Sequence, residues 1–168
     1  MALNFELVDL GSVHKVAGEI KKLGDNARHN TNVLHLILLD MMKVEEAVFR
    51  SQGRRGGGSW KRLKKETIEK KGMSKILYTA GANPNYSNFG DDTLVKSLTE
   101  EDAPYQISDV SNDTVLFGTR RPWAAVHQSG SQKRKIPARP FLRFTNYDMA
   151  RWSRMLEAHL LRGFGSDT

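Results

Sequence analysis

WAAVHQSGSQKRKIPARPFLRF, residues 123–144, is the stretch that decides how this chain is read. Its opening, WAAVH, fits either a third strand or a short helix. Gly130 permits a tight turn, and Lys133, Arg134 and Lys135 hold the following loop in water. Pro137 and Pro140 fix their own φ and bias the residue before each away from helix, so the stretch should end on an extended path. Such a path offers backbone groups and the Arg139 fork to a neighbour, where Arg139 can bond a carboxylate bidentately with less entropy lost. It equally serves as a connector into the last helix, with Arg139 capping that helix or paired within the chain. The residues alone leave both readings open.

Working outward from this stretch, Thr145 is a good N-cap and Asp148 completes a short capping box. A final helix follows, with Met149, Trp152, Leu156 and Leu160 on one face and Gly163 as its stop. Upstream, YQISDV and TVLFGT alternate around the turn SND, which reads as an antiparallel hairpin. NFELVDL near the start is a candidate first strand. Ser12 is a candidate N-cap for a helix through Val13, Val16, Ala17, Ile20 and Leu23, ended by Gly24. A longer helix should run from Asn30 or Thr31 to about Ser51. Its first half is apolar almost all round, which predicts burial on several sides, in the core or between subunits. His35 lies inside that run and is expected to be packed and hydrogen-bonded. The fold class is therefore α+β: an antiparallel sheet of three to four strands against a long N-terminal helix and a C-terminal helix.

The chain has 168 residues, 39% of them apolar, and a formal net charge of +7. One domain, 1–168, is expected, and at this size it can bury ~70% of the surface its unfolded chain exposes. Cysteine is absent, which excludes a disulfide framework and a thiolate zinc site. No apolar run reaches the ~18–20 residues that cross a bilayer, and the N-terminus lacks the basic start and apolar stretch of a signal peptide. A soluble protein with no membrane partner is expected.

Flexible loops are expected at about 52–59, 81–92 and 129–135, with a loose tail at 164–168. The first, around GRRGGGS, puts Arg54 and Arg55 among glycines. It lacks the Gly-Lys-Ser/Thr ending of a phosphate loop and follows a helix rather than a strand. Next comes a basic segment in which Trp60, Leu63 and Thr67 or Ile68 should point inward. Lys61, Arg62, Lys64, Lys65, Lys70 and Lys71 should form an outer cationic face. With Lys133, Arg134 and Lys135 these cations make up the basic patches. A solvated face explains them, and contact with something acidic, such as nucleic acid or an acidic protein face, is the sharper reading. The five histidines share no metal-ligand spacing, and the acidic residues come as adjacent pairs and triplets. No nucleophile elbow, Walker sequence or dinucleotide fingerprint occurs. The expectation is a protein that is not an enzyme and uses no cofactor or metal.

The order of features resembles the phage virion morphogenesis family, the tail completion proteins of tailed bacteriophages. The matching residues are Phe49, Gly53, Trp60, Leu63 and Thr67, followed by Ile76, Leu77 and Thr79, with Ala80 inserted before Gly81. Next come Leu94 with Ser97, then Val115, Phe117, Gly118 and Thr119. Last come Trp123 (where the family has Tyr), Ala124, His127, Gln128, Gly130 and residues 136–142. HQ-x-G followed by IPARPFL is the most specific pairing.

The resemblance implies a structural protein of the virion neck, assembled in the host cytoplasm as a ring, commonly a hexamer. Its neighbours would be a head connector or stopper and a tail tube or terminator protein. It would complete the tail or join it to the DNA-filled head. A tail terminator that caps the tube is a close alternative, and a basic DNA-binding protein is one of another class. On this reading Trp123, His127, Gln128, Gly130, Ile136, Pro137, Arg139, Pro140 and Phe141 form a docking arm against a neighbouring subunit or ring. The loop carrying Arg54 and Arg55 is a second segment that would order on assembly.

Overall fold

In the computed structural model, residues 10–72, 74–77 and 94–163 are described. Helix α1 spans Leu10–Arg28 and α2 spans Thr31–Arg50. A 3-10 turn at Arg54–Gly56 leads to α3, Lys65–Lys71, and later to the single turn α4, Lys96–Thr99. Strands β1, Gln106–Val110, and β2, Val115–Thr119, then pair, followed by α5, Ala124–Ser129, and α6, Asn146–Leu160.

Helix α2 is the hub, touching α4, α6, both strands and the 3-10 turn. Val33, Ile37, Val44, Val48 and Phe49 recur at helical spacing and supply one wall of the core. Trp60, Ile76, Leu94, Leu98, Ala124, Phe141 and Trp152 close it from the other elements. The apolar run at the start of α2 is not buried all round, contrary to expectation. Leu36 is 55% exposed, and His35 is exposed too, its Nε2 lying 3.7 Å from a carboxylate oxygen of Glu101. One wall of packing elements covers only one side of a helix, and both residues fall outside it.

The expected hairpin forms. β1 and β2 are antiparallel, with Gln106 opposite Thr119 and Val110 opposite Val115. The Ser111 N–H donates to the Thr114 carbonyl across the turn, and the Asn112 side chain accepts from the Asn30 N–H at the start of α2. Among the described residues this is a two-stranded sheet, not one of three or four strands. WAAVH is not a third strand. Pro122 interrupts the extended path, and the two alanines, poor strand formers, continue as α5. The candidate first strand lies outside the described residues apart from Leu10, which begins α1.

Gly24 does not stop α1. The Asn26 amide donates to the carbonyls of Leu160 and Arg162, and His159 Nε2 meets the Asn26 carbonyl. These ties to the end of α6 outweigh the ~1 kcal/mol a mid-helix glycine costs. Ser12, two residues inside α1, is not its N-cap. The capping box of α6 is present, with Thr145 and Asp148 bonded reciprocally. Of the face expected on α6, Trp152 is buried and Leu156 and Leu160 are half-buried, but Met149 is exposed.

Candidate assembly surface

The docking stretch turns most of its named residues inward. Gln128, on α5, is a clamp: its side-chain oxygen accepts from the N–H groups of Phe141 and Leu142, and its amide donates to the Leu142 carbonyl. Three backbone groups of an extended segment, which lacks ladder partners, are satisfied by one side chain. Phe141 is thereby held in the core, its ring 5.9 Å from that of Phe49 and stacked on it. Pro140 is fixed from the other side, because the Trp60 indole donates to its carbonyl at 2.9 Å. Trp60 in turn meets Phe49 edge-on at 5.6 Å. The expectation that Trp60 faces inward holds, Leu63 and Ile68 are half-buried, and Thr67 is exposed.

Gly130 closes α5 at φ +79° and ψ 176°, a conformation essentially reserved for glycine. A Cβ there would sit 2.7 Å from the Ala138 nitrogen. Gly130→Ala is therefore expected to cost about 1–3 kcal/mol from the backbone conformation alone, before any clash, and a urea melt measures it. The same closeness lets the Arg139 N–H donate to the His127 carbonyl at 2.7 Å. The His127 ring lies edge-on to Trp123, with centroids 5.5 Å apart, and Trp123 is half-buried against the core.

Arg139 is buried, and its guanidinium reaches the Lys61 carbonyl at 3.4 Å through Nε and again through a terminal nitrogen. Burial draws its pKa below the ordinary guanidinium value. Among the described residues its partner is a backbone carbonyl, not a carboxylate. Within one copy the guanidinium is thus paired inside the chain. Arg139→Ala should therefore lower the stability of the isolated protein by about 1–3 kcal/mol, the cost of a lost hydrogen bond to a charged donor, read as a lowered melting temperature.

What the stretch leaves outside is its tip. Ser131 and Ile136 pair as an isolated antiparallel bridge, and Lys133, Arg134 and Lys135 lie exposed between them. Residues 129–135 thus carry a defined turn, with Ile136 and Pro137 half-buried at its base. Arg139, four residues beyond this tip, reaches the Lys61 carbonyl at the start of the other basic run, whose Lys61, Arg62, Lys64 and Lys65 are exposed.

The glycine-rich loop is likewise built. Gly53 sits at φ +88°, where a Cβ would approach Trp60 to 2.5 Å, and Gly56 is buried on the Arg143 backbone and Val48. Arg54 is exposed. Arg55 is committed inside the fold, bridging both oxygens of Asp148. The loops expected at 81–92 and the tail at 164–168 lie outside the described residues.

Sequence reasoning missed the charged cluster beneath this loop. Asp148 is fully buried. Burial pushes its pKa up, but bonds from Arg55 and Thr145 more than offset this and hold the carboxyl below its usual range. Arg151 bonds Asp40, which also accepts from the Trp152 indole. Glu45, on α2, is fully buried, and among the described residues neither carboxylate oxygen makes a hydrogen bond of good geometry. Its pKa is raised to about 8, chiefly by burial and further by Asp148, with the nearby Arg143 backbone offsetting part of the rise. The one sequence signal was the capping box itself, which marks Asp148 but not its partners.

The chain is matched by the model of the phage virion morphogenesis family over residues 11–161. It belongs to that family, and with it to the structural and assembly proteins of the bacteriophage virion. Searches of curated proteins and of solved structures gave no match. Among the described residues, no helix is long and apolar enough to cross a membrane.

Proposed function

We propose that this protein is a non-enzymatic structural component of the head–tail junction, where copies form a ring that completes the tail or joins it to the DNA-filled head. Its neighbours are a connector or stopper on the head side and a tube or terminator protein on the tail side. Family membership across residues 11–161 carries the reading. The motif residues support it through their chemistry. Gln128, Gly130, Trp60 and Phe141 are spent on holding an extended segment to the core, a task of architecture rather than of catalysis.

Electron microscopy of phage lacking the gene tests the proposal. Filled heads beside separate tails of normal length are the expected result. Overlong tails would make the protein a terminator, and intact infectious virions would exclude both roles.

The exposure of both basic runs favours one further role, contact with the DNA that passes the junction. Lys61, Arg62, Lys64, Lys65, Lys133, Arg134 and Lys135 offer cations without base-reading geometry, so any binding should be independent of sequence. Affinity for a short duplex is expected to fall steeply with salt, because each neutralised phosphate releases counterions. Replacing the three tip cations with serine should flatten that slope. A slope unchanged by the replacement would remove the tip from the DNA contact.

A further inference from the structure

We infer that the N-terminal half of α6 is a proton-dependent clasp, which lifts from α2 without unfolding the rest and stays down while Glu45 keeps its proton. The clasp belongs to the fold itself, whatever neighbour the protein meets in the virion. Helix α6 is lightly anchored. Of its 15 residues only Asp148 and Trp152 are buried, and the first of these is a carboxylate. Helix α2 buries eight of its 20. Where apolar burial is thin, a segment can open at a free energy below that of the whole fold. Polar bonds hold α6 at both buried points. Asp148 accepts from Arg55 through both oxygens, and from the N–H and hydroxyl of Thr145. One helical turn on, Arg151 and the Trp152 indole both bond Asp40 of α2. The hinge follows from what is fixed on either side. Gln128 holds Phe141 and Leu142 to α5, so α6 can lift without drawing Phe141 from the core. The far end of α6 is tied to α1 through Asn26 and His159, which leaves the N-terminal end as the one that moves.

Glu45 sits under that end, fully buried on α2. Asp148 faces it from α6, and the Arg143 backbone from the segment before α6. Arg55 of the 3-10 turn bonds Asp148, and Arg151 of α6 lies 3.5 Å from it and also bonds Asp40. The Arg143 guanidinium lies beside Gly57 and Gly58. Among the described residues, three carboxyls thus share two guanidiniums, and the charges balance only while Glu45 is protonated. Held in place, Glu45 has a pKa of about 8; lifted into water it ionises near 4.5. Opening therefore releases a proton between these values and becomes ~10-fold easier for each pH unit. The effect is absent below about pH 4.5 and levels off above about pH 8. A contact that favours the lifted form would strengthen as pH rises through this window.

Two indoles read the clasp. Trp152 donates to Asp40 across it, whereas Trp60 donates to the Pro140 carbonyl outside it. Hydrogen exchange of both indole N–H groups is followed by NMR in the full-length protein at pH 5.5, 6.5 and 7.5. Each rate is divided by that of a free tryptophan peptide at the same pH. Trp152 should exchange at least ~10-fold faster than Trp60. Its corrected rate should climb ~10-fold for each pH unit, and in Glu45→Gln the climb should vanish. Equal rates for the two indoles would mean that the core opens only as a whole, which overturns the clasp. A climb that survives in Glu45→Gln would assign the proton to another group, which overturns it too. The first comparison needs only the native protein, so it stands whether or not the variant folds.

Discussion

Replacing Glu45 with glutamine raises the melting temperature of the isolated protein at pH 8 and changes it little at pH 5. The carboxyl is fully buried, makes no hydrogen bond of good geometry among the described residues, and has a pKa raised to about 8. In the unfolded chain it ionises near 4.5. Between these values the native state holds a proton that the unfolded state has released, so stability falls as pH rises. The contribution is intact below about pH 4.5 and is lost progressively to about pH 8, where the native carboxyl ionises and the loss levels off. Spread over that interval the loss amounts to several kcal/mol, ~1.4 for each pKa unit. Glutamine cannot ionise, so the variant's stability should be flatter across this range, and the gap between the two proteins should widen with pH. Urea melts at pH 5, 6.5 and 8 measure it. A gap that stays constant across the series would mean that Glu45 is already ionised in the native protein.

Asp148→Ala should produce the largest loss, about 3–5 kcal/mol, as expected when one partner of a buried ion pair is removed. The substitution strips Arg55 of its carboxylate and also takes the acceptor from the Thr145 N–H, opening the first turn of α6. Asp148 acts on pH in the opposite sense to Glu45. Its carboxyl titrates below the usual range, so its contribution is full above the ordinary aspartate pKa and is lost as pH falls through the depressed one. The two carboxyls are also coupled, since Asp148 helps to keep Glu45 protonated. At pH 8, Asp148→Asn should therefore cost more in the Glu45→Gln background than in the native one, because it no longer relieves a buried neighbour. Costs equal within ~0.5 kcal/mol in the two backgrounds would show the groups to be independent.

The elements most legible in the sequence were those set by local rules. The Thr145–Asp148 spacing marked the start of α6, and alternation around Ser111, Asn112 and Asp113 marked the hairpin. Local rules failed where a distant contact outweighed them. Gly24 reads as a stop, yet bonds from Asn26 to the end of α6, more than 130 residues away in sequence, carry the helix past it. The motif HQ-x-G…IPARPFL was legible as a unit, but its direction was not. Nothing in the sequence says that Gln128 faces Phe141 and Leu142, or that Arg139 finds the Lys61 carbonyl, rather than a second chain. The Glu45 site was hidden for the same reason: its neighbour Asp148 lies about 100 residues away, on another helix.

The stacking of Phe49 on Phe141 also sets an order of events during synthesis. The core face of α2 leaves the ribosome about 90 residues before the ring that will cover it. At roughly 5–20 residues per second, the apolar wall from Val33 to Phe49 waits about 5–20 seconds without its final partners. The same holds for Trp60, whose acceptor is the carbonyl of Pro140. A nascent chain that presents this helix uncovered is a natural client for a host chaperone. A ribosome stalled before residue 141 should hold a chain that has helices but no closed core.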